Sequence, residues 1–224
     1  MLMEDYNIVK ADFNEISELG ELKWDHNNCY FRHLLKYVPN NIETCVDIGC
    51  GKGQLSFMMS QKSKNVIAVD LADKMIEKAK VLHANTNITY ICGNILDMKF
   101  ENDSIDVIIT TATAHHLPYE WLLCFANDKL KKGGRLIILD LAKAGSLSDY
   151  IIWGAAFLPN IVINLIKNHR LQKDDEHSKE VWQRHGKHDT YMTMKEIKTL
   201  ADKCIPGAKV KRKLFWRYTL IWEK

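Results

Sequence analysis

Asp47 is followed by glycines at 49, 51 and 53. An acidic-x-Gly-x-Gly-x-Gly run of this kind suits a nucleotide-like ligand held against bare backbone. Glycine adopts positive φ and lets main-chain amides come close to a ligand, with the positive end of the next helix behind them. Asp70 ends the apolar run Val66–Val69, about 20 residues past the glycines, where a carboxylate can take two ribose hydroxyls or cap the next helix. Asn94 follows Gly93, and its amide can pair with a base edge or serve as a plain turn residue. His115 and His116, just past Thr111, can serve as general acid or base, or else pack and solvate a helix start.

These side chains need strands to present them. Cys45–Ile48, Val66–Asp70, Ile88–Cys92, Ile105–Ile109 and Gly134–Asp140 read as five apolar strands. Between them the stripes Met75, Ile76, Ala79, Leu82 and Leu122, Leu123, Ala126, Leu130 recur at helical spacing. Leu130–Gly133 reads as a helix end with a glycine stop. Apolar strands alternating with helices predict a parallel sheet covered on both faces, with ligands at the carboxyl ends of the strands.

A dinucleotide fingerprint would place glycine where Gln54 stands. The run Val46–Leu55 instead resembles the first motif of the class I S-adenosylmethionine-dependent methyltransferases, of the small-molecule type 11/12-like kind. The five strands in order, and the ending Thr110–Leu117 with its His-His-Leu, extend the resemblance. It implies an α/β, doubly wound, mostly parallel seven-stranded Rossmann-like sheet. It also implies an N-terminal helical flap over 1–38, a core over 39–144 and 192–224, and a helical lid over 145–191.

The cofactor implied is S-adenosylmethionine. By the resemblance Asp47 orients the glycine loop, Gly49 and Gly51 admit the amino end, Asp70 takes the ribose and Asn94 the adenine. Asn94 stands where the family usually has Asp. Cys50, Leu71, Ile95, Thr111 and the flap residue Tyr30 complete the expected cofactor set, and His26 shares the flap. His116 and His115 are the candidate catalytic residues. His26 and Tyr30 are as well explained by packing, and Asp25 or Asn27 by capping the helix that runs to Pro39.

At 224 residues and 46% apolar content the chain fits one elaborated domain. A net charge of +3 is too small to imply a nucleic-acid partner. Cysteines at 29, 45, 50, 92, 124 and 204 form no CxxC pair and read as reduced thiols of a cytoplasmic protein. The acidic start, Met1–Asp5, lacks the pattern of a signal peptide. No spacing of carboxylates and histidines marks a metal site.

After Asp140 the character changes. Residues 150–166 are apolar almost throughout but contain Pro159 and two asparagines, marginal for a membrane span. A substrate lid carrying Trp153 and Phe157, a membrane-surface helix and a buried hairpin all fit. Lys173–Arg184 reads as polar and solvent-facing, followed by His185, His188, Asp189 and Tyr191. Thr193 and Glu196 form a capping box for a helix to Cys204. Ala208–Trp222 is strand-like, and the hairpin expected there has no glycine or asparagine between Leu214 and Arg217.

The activity expected is methyl transfer to a small, partly apolar acceptor. A non-catalytic S-adenosylmethionine-binding protein and an RNA methyltransferase are the alternatives. The basic run Lys209, Lys211, Arg212, Lys213 serves RNA in one reading and guards a sheet edge in the other. An Asn/Asp-Pro-Pro-Tyr/Phe motif for adenine or glutamine nitrogens is missing from the fourth strand.

Overall fold

The computed structural model describes residues 3–20, 24–146, 149, 150, 154, 161–163, 165, 166, 176–187 and 189–224. Trp153, Phe157 and His188, and with them most of the expected lid, lie outside the described residues.

Seven strands form one sheet: β1 (Ile42–Ile48), β2 (Ser63–Asp70), β3 (Ile88–Cys92), β4 (Ile105–Thr111), β5 (Leu130–Leu141), β6 (Lys209–Arg212) and β7 (Arg217–Glu223). Their order is β3-β2-β1-β4-β5-β7-β6. The first five pair in parallel, and β7 pairs antiparallel with β5 and with β6. The sheet is therefore mostly parallel, with an antiparallel edge. Crossover helices are α3 (Gln54–Ser60), α4 (Asp73–Leu82) and α5 (Tyr119–Lys129). Ahead of them lie α1 (Met3–Glu18) and α2 (Asn28–Leu34), and after β5 come α6 (Glu176–Gly186) and α7 (Met194–Cys204).

Side chains alternate along the strands, and both faces are buried. Cys45, Val107, Ile109, Ile137 and Leu139 pack with α2 and α3 through Phe31, Leu34, Leu55 and Met59. Val46, Ile48, Ile108, Leu136 and Ile138 pack on the other face with α5 and α7 through Leu122, Ala126, Ile197 and Ala201. Rigid packing of this kind fixes where the strand tips end.

Three local expectations change. Leu130–Gly133 belongs to β5 rather than to a helix end: α5 stops at Lys129, Leu130 pairs with Ile105, and the Gly133 amide donates to the Lys224 carbonyl at 2.7 Å. The polar stretch after 175 forms α6, which buries Val181 and His185. Val181 docks against Ile16, Ala72 and Met75, so a few apolar side chains on one face outweighed the polar composition. The hairpin between β6 and β7 exists and turns without glycine, with Phe215 and Trp216 at φ 58° and 59°. Left-handed backbone costs an L-residue roughly 1–2 kcal/mol. Phe215 gains burial against Trp24 in exchange, with its ring stacked on His26 at a centroid distance of 4.9 Å.

The capping box at α7 forms as expected, with Glu196 N–H donating to Thr193 Oγ1 at 3.3 Å and Thr193 N–H to Glu196 Oε2 at 2.7 Å. At α2, Asp25 is the capping side chain: its Oδ1 accepts from the amides of Asn27 and Asn28 at 2.6 and 2.8 Å.

Candidate active site

The loop after β1 is built by hydrogen bonds to the neighbouring strand. The amides of Gly49 and Cys50 both donate to the Val69 carbonyl, at 2.8 and 3.0 Å. Gly49, Gly51 and Gly53 all have positive φ, at 72°, 52° and 84°. A Cβ on Gly49 would lie 2.0 Å from Thr113 Oγ1, and one on Gly53 would lie 2.6 Å from the Tyr90 hydroxyl. A Cβ on Gly51 would meet nothing within 4 Å. Two glycines are thus demanded by close packing within the protein, and the middle one faces open space.

Asp47, near the end of β1, is fully buried, with Oδ2 accepting from Ser56 Oγ at 2.6 Å and Oδ1 without a hydrogen-bond partner among the described residues. Burial pushes its pKa up to about 7, against the Ser56 hydrogen bond, and Asp70 adds to the rise. It does not line the cavity, and its side-chain hydrogen bond is to Ser56 on α3.

Asp70 stands at the tip of β2. Its Oδ2 accepts from the Gly51 amide at 2.8 Å and its Oδ1 from the Ala72 amide at 2.9 Å. Burial raises its pKa, opposed by the backbone amides it accepts from. The start of α4 is capped from elsewhere: Asn14 on α1 accepts from the Lys74 amide at 3.1 Å and donates to Asp73 at 3.0 Å.

A cavity of about 1280 Å³ opens along these strand tips. Gly49, Cys50, Gly51, Asp70, Leu71, Asn94, Ile95 and Thr111 line it, and all eight belong to the expected cofactor set. Asn94 caps the 3-10 turn Ile95–Asp97 through its side-chain oxygen, which accepts from Leu96 N–H at 3.1 Å, leaving the amide nitrogen for a ligand.

The cavity extends beyond them. Tyr6, Val9, Phe13 and Ile16 on α1, then Trp24, His26 and Phe31, line the remainder with His116 and Arg217. Tyr30 does not line it. One helical step from Phe31, its hydroxyl instead donates to the Leu214 carbonyl at 3.2 Å, beneath the hairpin turn. The structure thus sets Tyr30 apart from the other expected cofactor residues.

The two adjacent histidines part company. His115 is buried and turned away from the cavity, with Nδ1 2.7 Å from Asp140 Oδ1 and its backbone amide donating to Asp140 Oδ2 at 2.7 Å. Burial alone would lower its pKa, but the charge and hydrogen bond of Asp140 outweigh it and the net shift is upward. His116 lines the cavity, 8% exposed, and its Nε2 has no hydrogen-bond partner among the described residues. Burial, then His115 and His185, push its pKa down to about 2. His116 is therefore neutral at physiological pH.

Sequence reading missed four groups here. Arg217 lines the cavity, donating to Asn27 Oδ1 at 2.9 Å and to the Phe215 carbonyl at 3.0 Å; burial lowers its pKa while Asp140 and Asp25 counter. A lone arginine entering an aromatic strand was the available signal. Asp140, Asp189 and His185 complete the surroundings of the histidine pair, and only the fold brings these remote positions together.

This is the fold and loop of a methyltransferase, and comparison with known proteins agrees. A family model for a methyltransferase domain matches residues 46–138. A Mycobacterium tuberculosis methyltransferase, described as uncharacterized, is 24% identical over 204 residues, covering 89% of this chain and 96% of the relative. Ubiquinone biosynthesis O-methyltransferase of Coxiella burnetii is 27% identical over 176 residues, covering 72% of this chain and 75% of that protein. The crystal structure of an S-adenosylmethionine-dependent methyltransferase from Aquifex aeolicus matches with a TM-score of 0.57 at 15% identity, covering 95% of this chain and 97% of the other. The matched domain, these relatives and the shared fold together support a class I S-adenosylmethionine-dependent methyltransferase with S-adenosylmethionine as its cofactor. The open space above Gly51 and the carboxylate of Asp70 fit that group.

Proposed function

We propose that the chain methylates a small, partly apolar acceptor seated beside the cofactor in the same cavity. The observation that carries this is the cavity's extent. At about 1280 Å³ it exceeds the roughly 300–1,000 Å³ common for a single ligand. The glycine-loop end suits the cofactor, with Asp70 and Leu71 at the ribose and Asn94, Ile95 and Thr111 around the adenine and the strand tip. The far end is walled by Val9, Phe13, Trp24 and Phe31, with His26, His116 and Arg217 as its polar points.

When bound, S-adenosylmethionine supplies a methyl group already activated by its sulfonium. The protein's own task is alignment and exclusion of water, which can account for roughly 7–11 kcal/mol of a barrier. His116 is the residue that meets the acceptor: its unpartnered Nε2 offers one hydrogen bond, and its low basicity suits orientation better than proton storage. His115, held by Asp140, positions His116 from behind.

The basic edge strand gives little support to RNA as acceptor. Arg212 is paired with Asp149 and Lys213 Nζ lies 3.0 Å from His33 Nε2. Among the described residues no helix is long and apolar enough to cross a membrane.

Labelled methyl transfer tests the reading. Cofactor binding is first confirmed by calorimetry, then the protein is offered radiolabelled S-adenosylmethionine with small-metabolite, RNA and protein fractions. Label entering the small-molecule fraction is expected. Label confined to RNA or protein would refute the small acceptor, and binding without transfer to any fraction would favour a non-catalytic role.

A further inference from the structure

Behind His116, away from the glycine loop, several buried side chains converge on one carboxylate. Asp189 Oδ2 is 3.9 Å from His115 Nε2, and Asp189 Oδ1 is 3.7 Å from His116 Nδ1 and 3.6 Å from His185 Nε2. All four side chains are at most 9% exposed. These separations are too long for hydrogen bonds. They approach the spacing of atoms that share one ion: with metal–nitrogen and metal–oxygen bonds of about 2.0–2.2 Å, two tetrahedral ligand atoms lie roughly 3.4 Å apart. The ligand atoms of His115, His116 and Asp189 all lie within 4.8 Å of one another.

The geometry points to a divalent first-row transition-metal ion held by His115 Nε2, His116 Nδ1 and a carboxylate oxygen of Asp189. Two nitrogens and one carboxylate suit ions such as Zn²⁺ and Co²⁺ better than Mg²⁺, which prefers oxygen ligands and keeps its water. His185 Nε2 faces the same carboxylate from α6 and stands ready as a fourth ligand or as its support.

The surroundings are those of a ligand set. Metal-bound imidazoles characteristically donate their other nitrogen to a carboxylate, which fixes the tautomer. His115 Nδ1 lies 2.7 Å from Asp140 Oδ1, leaving Nε2 as the lone-pair nitrogen. His185 Nδ1 lies 3.5 Å from Asp12 Oδ2, which has no hydrogen-bond partner among the described residues, and Arg184 pairs with the other Asp12 oxygen. Asp189 also accepts from the Tyr191 hydroxyl. A buried carboxylate needs a cation near it, and an ion at the shared point meets that need.

The site goes beyond methyl transfer and joins it at His116. A metal on Nδ1 obliges Nε2 to carry the proton, so the imidazole would present a hydrogen-bond donor to an acceptor's oxygen.

The test uses the full chain after chelator treatment and dialysis, titrated with Co²⁺ and Zn²⁺. One Co²⁺ per chain with visible d–d absorption is expected, together with a rise in melting temperature with Zn²⁺ that Mg²⁺ does not reproduce. Asp189→Asn is expected to weaken metal binding at least about tenfold. Asp140→Asn, which spares all three ligand atoms, should weaken it by about 10–100-fold, as loss of an outer-shell partner does. Wild-type protein that binds no stoichiometric Co²⁺ and shows no melting shift overturns the proposal, whether or not the variants fold. So does binding that survives both substitutions in folded protein. Calorimetry with S-adenosylhomocysteine on the same samples keeps this result separate from the methyl-transfer reading.

Discussion

The Gly51 amide donates to Asp70 Oδ2 across 2.8 Å, so the carboxylate expected at the ribose also fixes the glycine loop. The second Asp70 oxygen holds the Ala72 amide at the start of α4. Each oxygen keeps lone-pair capacity for a hydroxyl. Losing Asp70 therefore loosens two turns at once. Asp70→Ala is expected to weaken S-adenosylhomocysteine binding by about 10–100-fold, since a hydrogen bond to a charged group contributes roughly 1.5–3 kcal/mol. Unchanged affinity by calorimetry would remove Asp70 from the site.

The three glycines should respond differently to alanine. Gly49→Ala drives a methyl group into Thr113, where the contact would be 2.0 Å, and is expected to lower melting temperature sharply. Gly51→Ala meets no atom and adds only left-handed strain of about 1–2 kcal/mol, so its main effect should fall on cofactor affinity. Equal melting temperatures for the two variants would contradict this division.

Asp47 makes stability depend on pH. Its folded pKa, about 7, exceeds the ordinary carboxylate value near 4, so the folded state binds more protons between those limits. Stability then falls as pH rises from about 4 to about 7 and levels off above. Asp47→Asn removes this contribution, and its stability relative to wild type should improve as pH rises through that window. Denaturant melts at pH 5 and pH 8 check the sign: a relative stability that does not rise with pH refutes the assignment.

Asp73 works in the opposite direction. Hydrogen bonds from Asn14 and Lys10 hold its pKa down to about 2, so its contribution is present above pH 4 and is lost as pH falls towards 2. Asp73→Asn should melt earlier than wild type at pH 7 and together with it near pH 2. A gap that persists at the acid end would show that the charge is not responsible.

The strand tips were legible in the sequence because local rules govern them. The glycine run, the carboxylate ending β2 and Asn94 after β3 each follow from one short segment. Eight of the expected cofactor residues line one cavity for that reason. Tyr30 stands apart because its neighbour Phe31 lines the cavity while its own hydroxyl meets the distant Leu214 carbonyl, a contact no local rule reveals. The histidine cluster was hidden for a similar reason: Asp189 and His185 reach His115 and His116 only after α6 packs on α1. A turn built from Phe215 and Trp216 breaks the usual glycine rule, and burial against Trp24 and His26 compensates.

The first helix both lines the cavity and is fastened to the body of the protein by partly exposed ion pairs. Lys10 meets Asp73 at 3.1 Å, Lys78 meets Glu18 at 3.0 Å, and Arg184 meets Asp12 at 2.8 Å. Mobile ions weaken such fastenings, with a screening length of about 10 Å at 0.1 M salt. Ionic strength should therefore act on the seating of this helix: added salt is expected to loosen it while leaving the sheet beneath undisturbed.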